Sequence, residues 1–327
     1  MISIVIPAHD SAKTIAACLD SLSDQTIPRV EFEIIVVDDG SRDQTRALAQ
    51  ARGARVVTQA NLGAAAARNL GAQNARGEIV IFLDADCIPE KNWLAAMGAP
   101  FANSQIVGAG GMKRTHQRGI VPMFIQMEFD YRYDRVRAHA EIDFVDSGTA
   151  AYRREIFLRA GGFDPRLSDA EDVDLSYRLS EQGFKMAFAR DAIVYHLHPE
   201  SVWNYWRRKF IYAAWRTRVY ARHPRKIARD SRTPPSQRAQ GALAALLLAC
   251  VFFFPFFPFA FFLCAFAFLL TIVPFLTRYL ARDWRAALLA PIFILGAAYA
   301  GDAGVLWGFL NSNFTTKNTK KNFRSKI

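Results

Sequence analysis

Two carboxylates separated by a single alanine, Asp84 and Asp86, follow directly after the apolar run Ile79–Leu83. This run is rich in β-branched and aromatic residues, which is typical of a strand buried on both faces. In an open α/β sheet the ligand crevice lies beyond the carboxyl ends of the strands. Two hard oxygen ligands at that position could hold Mg²⁺ or Mn²⁺ against a diphosphate, although an Asp-x-Asp sequence also suits an ordinary polar turn.

The residues before this stretch alternate between short apolar runs and longer amphipathic segments. Strands separated by helices of roughly ten to fifteen residues predict βαβ units and a parallel sheet. Ser11 is predicted to be the N-cap of the first helix. The predicted strands are Ile2–Ile6, Phe32–Val37 and Ala54–Thr58, and the predicted helices are Ala12–Ser23, Asp43–Arg52 and Leu62–Ala75.

Beyond residue 100 the alternation becomes less regular, and no internal repeat is visible. The fold class is therefore predicted to be α/β, with a parallel first half and a mixed second half. The predicted strands of this second half are Ile106–Met112, Phe144–Tyr152, Met186–Ala189 and Ala192–Tyr195, and its helices are Val121–Val136 and 171–182.

Polar groups also follow the other predicted strands of the first half. Pro7–Asp10 comes after the first strand and Asp38–Ser41 after the second, while Asn61–Gly63 and then Arg68 open the helix after the third. Each segment alone could be a turn or a helix cap. Because the carboxyl ends of parallel strands share one edge of a sheet, we expect all of them to share one ligand with Asp84–Asp86.

Four segments, in their order and spacing, resemble the family 2 inverting glycosyltransferases with the GT-A fold. They are Ile-Val-Ile-Pro-Ala, Val-Val-Asp-Asp-Gly-Ser, Asn-x-Gly-x-x-x-Ala-Arg-Asn and Phe-Leu-Asp-Ala-Asp, and the resemblance covers roughly residues 1–200. The chain has neither G-x-G-x-x-G nor G-x-x-x-x-G-K-[ST], so the sequence gives no support to a dinucleotide-binding or P-loop protein.

The resemblance implies a role for each matching position in a nucleotide-sugar site. Asp39 would bond the base beside Asp38, and Asp84 would contact the ribose or sugar. Asp86 would ligate Mg²⁺ or Mn²⁺, completed by one of the two strand-end histidines, with His196 preferred over His198. The family usually has Asn or Glu where this chain has Asp10. The donor-site residues are Pro7, Ala8, Asp10, Asp38, Asp39, Gly63, Arg68 and Asp84.

An inverting transfer also needs a base that takes the proton of the acceptor hydroxyl. The acidic segment Ser168–Leu175 could supply it, but Ser168 and Glu171 also form a capping box, and acids suit the first turn of any helix. The residues alone leave Asp169, Glu171 and Asp172 open. The resemblance matches Glu171-Asp172 to the family signature after Gly161-Gly162-Phe163, which makes Asp172 the base and places Gly148, Thr149 and Glu171 on the acceptor side.

Charge divides the chain sharply. Residues 1–201 carry 22 Lys and Arg against 27 Asp and Glu, whereas residues 202–327 carry 19 against 3. Within 202–238, seven aromatic residues alternate with basic ones, which predicts amphipathic helices at a membrane interface. Aromatic and basic residues also suit single-stranded nucleic acid. The 39 uncharged residues of Ala239–Thr277 favour the membrane and argue against a nucleic-acid partner.

As a helix, those 39 residues would span roughly 58 Å, about twice a hydrocarbon core of ~30 Å. Pro255 and Pro258 near the middle predict a hairpin of two spans over about 240–277. The apolar segment 286–310, interrupted by Asp302, is predicted to be re-entrant or interfacial, and 311–327 to be a basic cytoplasmic tail. We therefore expect a cytoplasmic catalytic domain over 1–201, interface helices over 202–238 and a membrane region over 239–310.

The predicted function is an inverting, metal-dependent hexosyl transfer from a UDP- or GDP-linked sugar to a lipid-linked or saccharide acceptor of envelope polysaccharide synthesis. It would occur at the cytoplasmic face of the inner membrane, with membrane lipids as partners. The segment 203–208 lacks the Gln-x-x-Arg-Trp motif of processive synthases, which favours a single addition. The alternative is an inactive GT-A scaffold of a polysaccharide-assembly complex.

Overall fold

A computed structural model describes residues 1–137, 139, 141–227 and 233–311. The described residues form two compact units. The first unit consists of residues 1–116 and 136–197, and the second consists of residues 117–135 and 198–311. The predicted basic tail, apart from its first residue, lies outside the described residues.

The first half of the sheet is parallel, as the alternation of strands and helices predicts. Strand β1 pairs with β2 and β4, and β2 pairs with β3, all in parallel. Helix α1 begins three residues later than expected, and Ser11 is not its N-cap, because the Ser11 carbonyl closes a preceding turn by accepting from Thr14 N and Ile15 N. The elements are β1 (Ile2–Ala8), α1 (Ile15–Ser23), β2 (Phe32–Asp38), α2 (Thr45–Ala51), β3 (Arg55–Thr58), α3 (Ala64–Asn74) and β4 (Ile79–Leu83).

The second half of the sheet is mixed. The strand order is β3-β2-β1-β4-β7-β6-β8-β5, in which β7 is antiparallel to β4 and β6, and β8 is parallel to β6. The two strands expected over 186–195 form one strand, β8. The elements are β5 (Ile88–Pro89), α4 (Trp93–Gly98), β6 (Ile106–Arg114), α5 (Ile120–Arg137), β7 (Thr149–Arg153), α6 (Arg154–Arg159), α7 (Glu171–Glu181) and β8 (Lys185–Tyr195).

Strand β7 begins at Thr149, five residues later than the sequence predicts. The preceding residues turn, because Thr149 N donates to Asp146 O at 3.2 Å and Gly148 N donates to Asp146 Oδ1 at 2.9 Å. A pattern of apolar and small residues around this turn resembles a strand, but the turn places Asp146–Gly148 at the edge where β4 ends.

Apolar side chains cover both faces of the sheet. Along β1, Ile4 and Ile6 pack into one core with Trp93, while Val5 packs into a second core on the opposite face with Phe82. Helices on both faces explain why the central strands are continuous apolar runs. Polar groups follow where these apolar strands end.

The second unit contains α5 and four further helices. Helices α9 and α10 are separated by 253–257, which confirms a turn near Pro255. Among the described residues, α10 and α11, with mean hydropathies of 2.6 and 1.6, are long and apolar enough to cross a membrane. The further helices are α8 (Val202–Arg222), α9 (Pro235–Phe252), α10 (Pro258–Tyr279) and α11 (Trp284–Leu310).

This arrangement differs from the predicted pair of spans. Helix α9, with 18 residues, is less apolar than α10 and α11, because its first two turns carry polar side chains such as Gln237 and Gln240. The third apolar segment, predicted to be re-entrant or interfacial, lies in one continuous helix of 27 residues that passes through Asp302.

Candidate active site

A buried arginine connects two of the acidic segments singled out from the sequence. Arg68, in helix α3, donates from Nη2 to Asp84 Oδ1 at 2.7 Å and from Nη1 to Glu171 Oε1 at 3.0 Å. Its side chain is 6% exposed. A buried cation is stable only with acidic partners, so Arg68 fixes the Asp-x-Asp turn relative to the start of helix α7.

A lysine that the sequence analysis missed holds the other oxygen of the same carboxylate. Lys113 Nζ, on β6, lies 3.8 Å from Asp84 Oδ2 and 2.9 Å from Asp146 Oδ1. Burial alone would lower the pKa of Lys113, but the charges of Asp146 and Asp84 outweigh it and raise that pKa well above its ordinary value. The sequence contains one indication of this role, since Lys113 lies at the end of an apolar, glycine-rich strand.

Gly148 lies against this pair of charges. A Cβ atom there would overlap Asp84 Oδ2 and Lys113 Nζ, and the Gly148 carbonyl accepts from Asp84 N at 3.3 Å. Thr149, predicted with Gly148 on the acceptor side, is fully buried and its hydroxyl accepts from Trp93 Nε1 at 3.2 Å. Its side chain therefore faces the core, and only Gly148 of the two lies beside Asp84.

Asp86 and His196 are brought together, as expected of two metal ligands. His196 Nε2 lies 3.4 Å from Asp86 Oδ2. Burial opposes ionisation of Asp86, but the hydrogen bond and charge of His196 outweigh it and hold the pKa of Asp86 below its ordinary value. His198 belongs to the second unit, where its Nε2 lies 3.0 Å from Gln126 Oε1.

These residues fit a hard divalent cation. Side-chain ligand atoms of Asp84, Asp86 and Cys87 lie within 4.8 Å of one another. Burial and the charge of Asp84 raise the pKa of the Cys87 thiol well above its ordinary value, so it stays protonated and is a poor ligand. The metal ligands would then be the carboxylate oxygens and the imidazole of His196. Asp84 is paired with Arg68 and Lys113, whereas no described lysine or arginine lies within 4 Å of the Asp86 carboxylate.

The acids at the end of β2, Asp38 and Asp39, hold the loops at this edge. Asp39 accepts from Leu62 N at 2.7 Å and Gly63 N at 2.8 Å, and Gly63 has a φ of 101° that favours glycine. Asp38 is fully buried and accepts from Arg46 Nη2 at 2.7 Å. Burial opposes its ionisation, but bonds from Ser41 and Arg46 lower the pKa of Asp38. The implied bond from Asp39 to a base stays a prediction.

The end of β1 meets the same edge. The carbonyl of Ala8, which follows half-buried Pro7, accepts from Asp39 N at 2.8 Å. Asp10 has a φ of 49°, and its Oδ1 accepts from Arg42 N at 2.8 Å. The ends of β1 and β2 are thus tied together, as the parallel topology predicts.

The capping box predicted for Glu171 is wrong. Helix α7 begins at Glu171 with Ala170 as a cap that makes no side-chain bond, and the Glu171 carboxylate binds Arg68 instead. Burial and the charge of Asp172 raise the pKa of Glu171 to about 8, against the opposing charge of Arg68. Glu171 therefore takes up a proton more readily than an exposed glutamate does.

Asp172 is more accessible than its neighbour. It is half-buried, its Oδ1 accepts from Val173 N at 2.8 Å, and its Oδ2 accepts from Ser147 N at 3.3 Å. Backbone donors orient this carboxylate, and Ser147 comes from the turn that also carries Gly148. Asp169, the third acid left open by the sequence, is exposed.

Comparison with known proteins gives a family match for the first half of the chain. Residues 3–160 match the model of the family described as Glycosyl transferase family 2. The glycosyltransferase AglE of Haloferax volcanii is 27% identical over 60% of this chain and 66% of its own length. The pre-mycofactocin glycosyltransferase of Mycobacterium tuberculosis is 27% identical over 76% of this chain and 53% of its own length. The chain thus spans between half and two thirds of these curated relatives.

A solved structure shares the fold. The mannosyltransferase PcManGT from Pyrobaculum calidifontis, in complex with GDP-Man and Mn²⁺, has a TM-score of 0.58 and 22% identity, covering 94% of this chain and 87% of that chain. The mixed sheet and this likeness show that the first unit has the GT-A fold. With the family match, residues 3–160 of the chain form a glycosyltransferase domain of family 2.

Proposed function

We propose that this glycosyltransferase is an inverting, metal-dependent enzyme that moves one sugar from a nucleoside-diphosphate sugar to an acceptor at the cytoplasmic face of the membrane. The donor would be UDP- or GDP-linked, and the acceptor lipid-linked or a saccharide precursor. The observation that carries the proposal is the bond of Arg68 to both Asp84 and Glu171, since it joins the donor-side acids to the segment that holds the base.

The donor side is supported by the chemistry of its ligands. Asp86 and His196 would hold Mg²⁺ or Mn²⁺, which when bound would act as a Lewis acid toward the charge that develops on the diphosphate. PcManGT, which shares the fold, was solved with GDP-Man and Mn²⁺. Arg68 and Lys113 each pair with one carboxylate oxygen of Asp84. Asp84 is thereby fixed in a position from which it would accept a hydrogen bond from a hydroxyl group of the ribose or sugar.

The acceptor side is supported by the difference between the two adjacent acids. A general base must be ionised and within reach of the acceptor hydroxyl. Glu171 is buried and has a pKa of about 8, whereas Asp172 is more exposed and oriented by two backbone N–H groups. Asp172 would therefore take the proton, and Glu171 with Arg68 would hold the first turn of α7 in place.

The membrane location is supported by the second unit. Helices α10 and α11 are long and apolar enough to span a bilayer. Residues 202–238 carry eleven Lys and Arg but one acid, and such basic segments are retained on the cytoplasmic side. A transferase held there would act on an acceptor at the membrane surface, which favours lipid-linked acceptors.

A variant pair tests the proposal directly. The full chain in detergent is assayed against a panel of UDP- and GDP-sugars, first for Mn²⁺-dependent thermal stabilisation and then for transfer. Asp172→Asn should lower transfer by roughly 10²–10⁴-fold while nucleotide stabilisation is kept. Asp169→Asn, which alters an exposed acid three residues earlier, should change neither.

The result that would contradict the proposal is equally specific. If transfer survived Asp172→Asn, Asp172 would not be the base. If the product retained the anomeric configuration of the donor, the mechanism would not be inverting. A chain that no nucleoside diphosphate stabilises would instead be a scaffold with a GT-A fold.

A further inference from the structure

The second unit contains a cavity whose lining mixes charges, amides and apolar groups. Helices α5, α8, α9, α10 and α11 all contribute to its wall. Its main lining residues are Glu128, Arg132, Lys209, Gln240, Phe275 and Ile294. The proposed transfer reaction uses none of these residues.

Gln240, in the second turn of α9, has an amide that lacks a hydrogen bond. Its side chain lines the cavity and the residue is only 9% exposed. No residue that the structure describes makes a hydrogen bond to this amide. Because hydrogen bonds within the described part of the protein do not use this amide, it is available to donate to a ligand or to water in the cavity.

The charged residues of the cavity leave an excess of positive charge. Lys209 Nζ lies 3.0 and 3.1 Å from the two carboxylate oxygens of Glu128, which neutralises that pair. The Arg132 guanidinium lies 4.4 Å from the centre of the Phe129 ring and makes only a 3.4 Å bond to a main-chain carbonyl. No carboxylate of the described residues lies within 4 Å of it. The cavity is therefore suited to an anion.

The position of the cavity along the helices fits a lipid headgroup. Thr271 and Phe275 line it, about 12 and 6 Å before α10 ends at Tyr279. Arg278 and Arg282, at and just beyond that end, pair with Asp134 and Asp130 of α5. The cavity thus lies where an apolar helix meets charged residues, which is the depth of the headgroups, and Phe275 and Ile294 offer an apolar wall to an alkyl chain.

We propose that this cavity binds the phosphate headgroup of a membrane lipid. Arg132 would pair with the phosphate, the Gln240 amide would donate to a phosphate oxygen, and the first carbons of the chain would lie against Phe275 and Ile294. The proposal depends on the proposed function only for the membrane location of the second unit. The phosphate could belong to a glycerophospholipid or to a prenyl phosphate.

Native mass spectrometry of the delipidated full chain in neutral detergent tests this site without any sugar donor. Four probes are titrated separately: phosphatidylglycerol, phosphatidylcholine, farnesyl phosphate and inorganic phosphate. We expect phosphatidylglycerol or farnesyl phosphate to bind about tenfold more tightly than phosphatidylcholine, because the choline cation of phosphatidylcholine balances its phosphate and is repelled by the excess positive charge of the cavity. Whichever of the two binds more tightly identifies the source of the phosphate.

Two cavity variants and a matched surface variant complete the test. Arg132→Gln and Gln240→Glu should each weaken binding of the preferred lipid about tenfold, and Gln240→Glu keeps the shape of the side chain. Arg208→Gln removes an exposed charge of α8 outside the cavity and should change binding less than twofold. All three variants should keep the stabilisation by nucleoside diphosphates, which separates this proposal from the transfer reaction.

Three results would overturn the site. The first is binding of phosphatidylcholine as tight as that of the anionic lipids. The second is binding of inorganic phosphate when neither phosphatidylglycerol nor farnesyl phosphate binds. The third is a loss of lipid affinity in Arg208→Gln as large as in the cavity variants, which would indicate unspecific attraction to surface charge.

Discussion

Arg68 and Glu171, which are 103 residues apart in the sequence, meet at 3.0 Å inside the first unit. The contact links helix α3 of the parallel half of the sheet to helix α7 of the mixed half. The same guanidinium reaches Asp84 at 2.7 Å. A single buried cation therefore sets the relative position of the acid proposed for the donor and the helix turn that carries Asp172.

Glu171 should make stability depend on pH. Its folded pKa of about 8 lies above the ordinary value of 4.5, so the folded state binds more protons between these values. Its contribution is fully present below about pH 4.5 and is lost as pH rises through about 8. Glu171→Gln should flatten the urea-unfolding free energy over this range, whereas Glu155→Gln, which alters an exposed acid, should leave the slope as in the wild type.

Lys113 should be far more important to stability than a surface lysine with an acidic partner. Lys113→Met would leave the partly exposed Asp146 and Asp84 beside each other without their shared cation, which should cost about 1–3 kcal/mol of unfolding free energy. Lys91 pairs with Asp24 at 3.3 Å but is 76% exposed, so Lys91→Met should have little effect. Urea unfolding of both variants, monitored by circular dichroism, measures the difference. Similar losses of unfolding free energy would mean that the ion pairs of Lys113 stabilise the fold no more than the surface pair of Lys91 does.

The parallel half of this fold could be predicted because its signals are local. Each strand from β1 to β4 is a short apolar run, each is followed by a polar segment, and parallel topology brings those segments to one edge. Asp84, Asp86 and Asp39 were found in this way. The helix starts were less predictable, because Ser11 and Ser168 have the residue type of a cap but their backbones turn instead.

The mixed half depends on contacts that no short window contains. Lys113 became visible only because β7 pairs with both β4 and β6, which brings β6 beside Asp84. Asp146 and Ser147 were hidden in a predicted strand that proved to be a turn. Glu171 satisfied a local capping pattern, but the long-range bond to Arg68 prevailed, since a buried cation needs its acids more than a helix terminus needs a cap.

Gly148→Ala should displace Asp84. The added methyl would overlap the Asp84 carboxylate and the Lys113 ammonium, both of which are fixed by further partners. We expect nucleoside-diphosphate affinity to fall at least about tenfold while the cooperative unfolding transition remains. Gly98→Ala is the matched control, because its nearest neighbour would be a side-chain carbon of Ile2 at 3.6 Å. Calorimetric titration with UDP or GDP in Mn²⁺ measures both; unchanged affinity in Gly148→Ala would show that Asp84 does not contact the donor.

Removal of the divalent metal should abolish the response to nucleoside diphosphates and leave the fold intact. Asp86 and His196 come from the loop after β4 and from the residue after β8, and neither supports a core, so their loss affects the ligand rather than the sheet. Asp86→Asn and His196→Ala should therefore match EDTA treatment of the wild type, with the unliganded Tm changed little and the Mn²⁺-dependent rise in Tm with UDP or GDP lost. Asp24→Asn, which alters an exposed acid at the end of α1, should keep that rise. If Asp86→Asn kept the Mn²⁺-dependent rise, the metal would be held elsewhere; if His196→Ala alone kept it, the histidine would only orient Asp86.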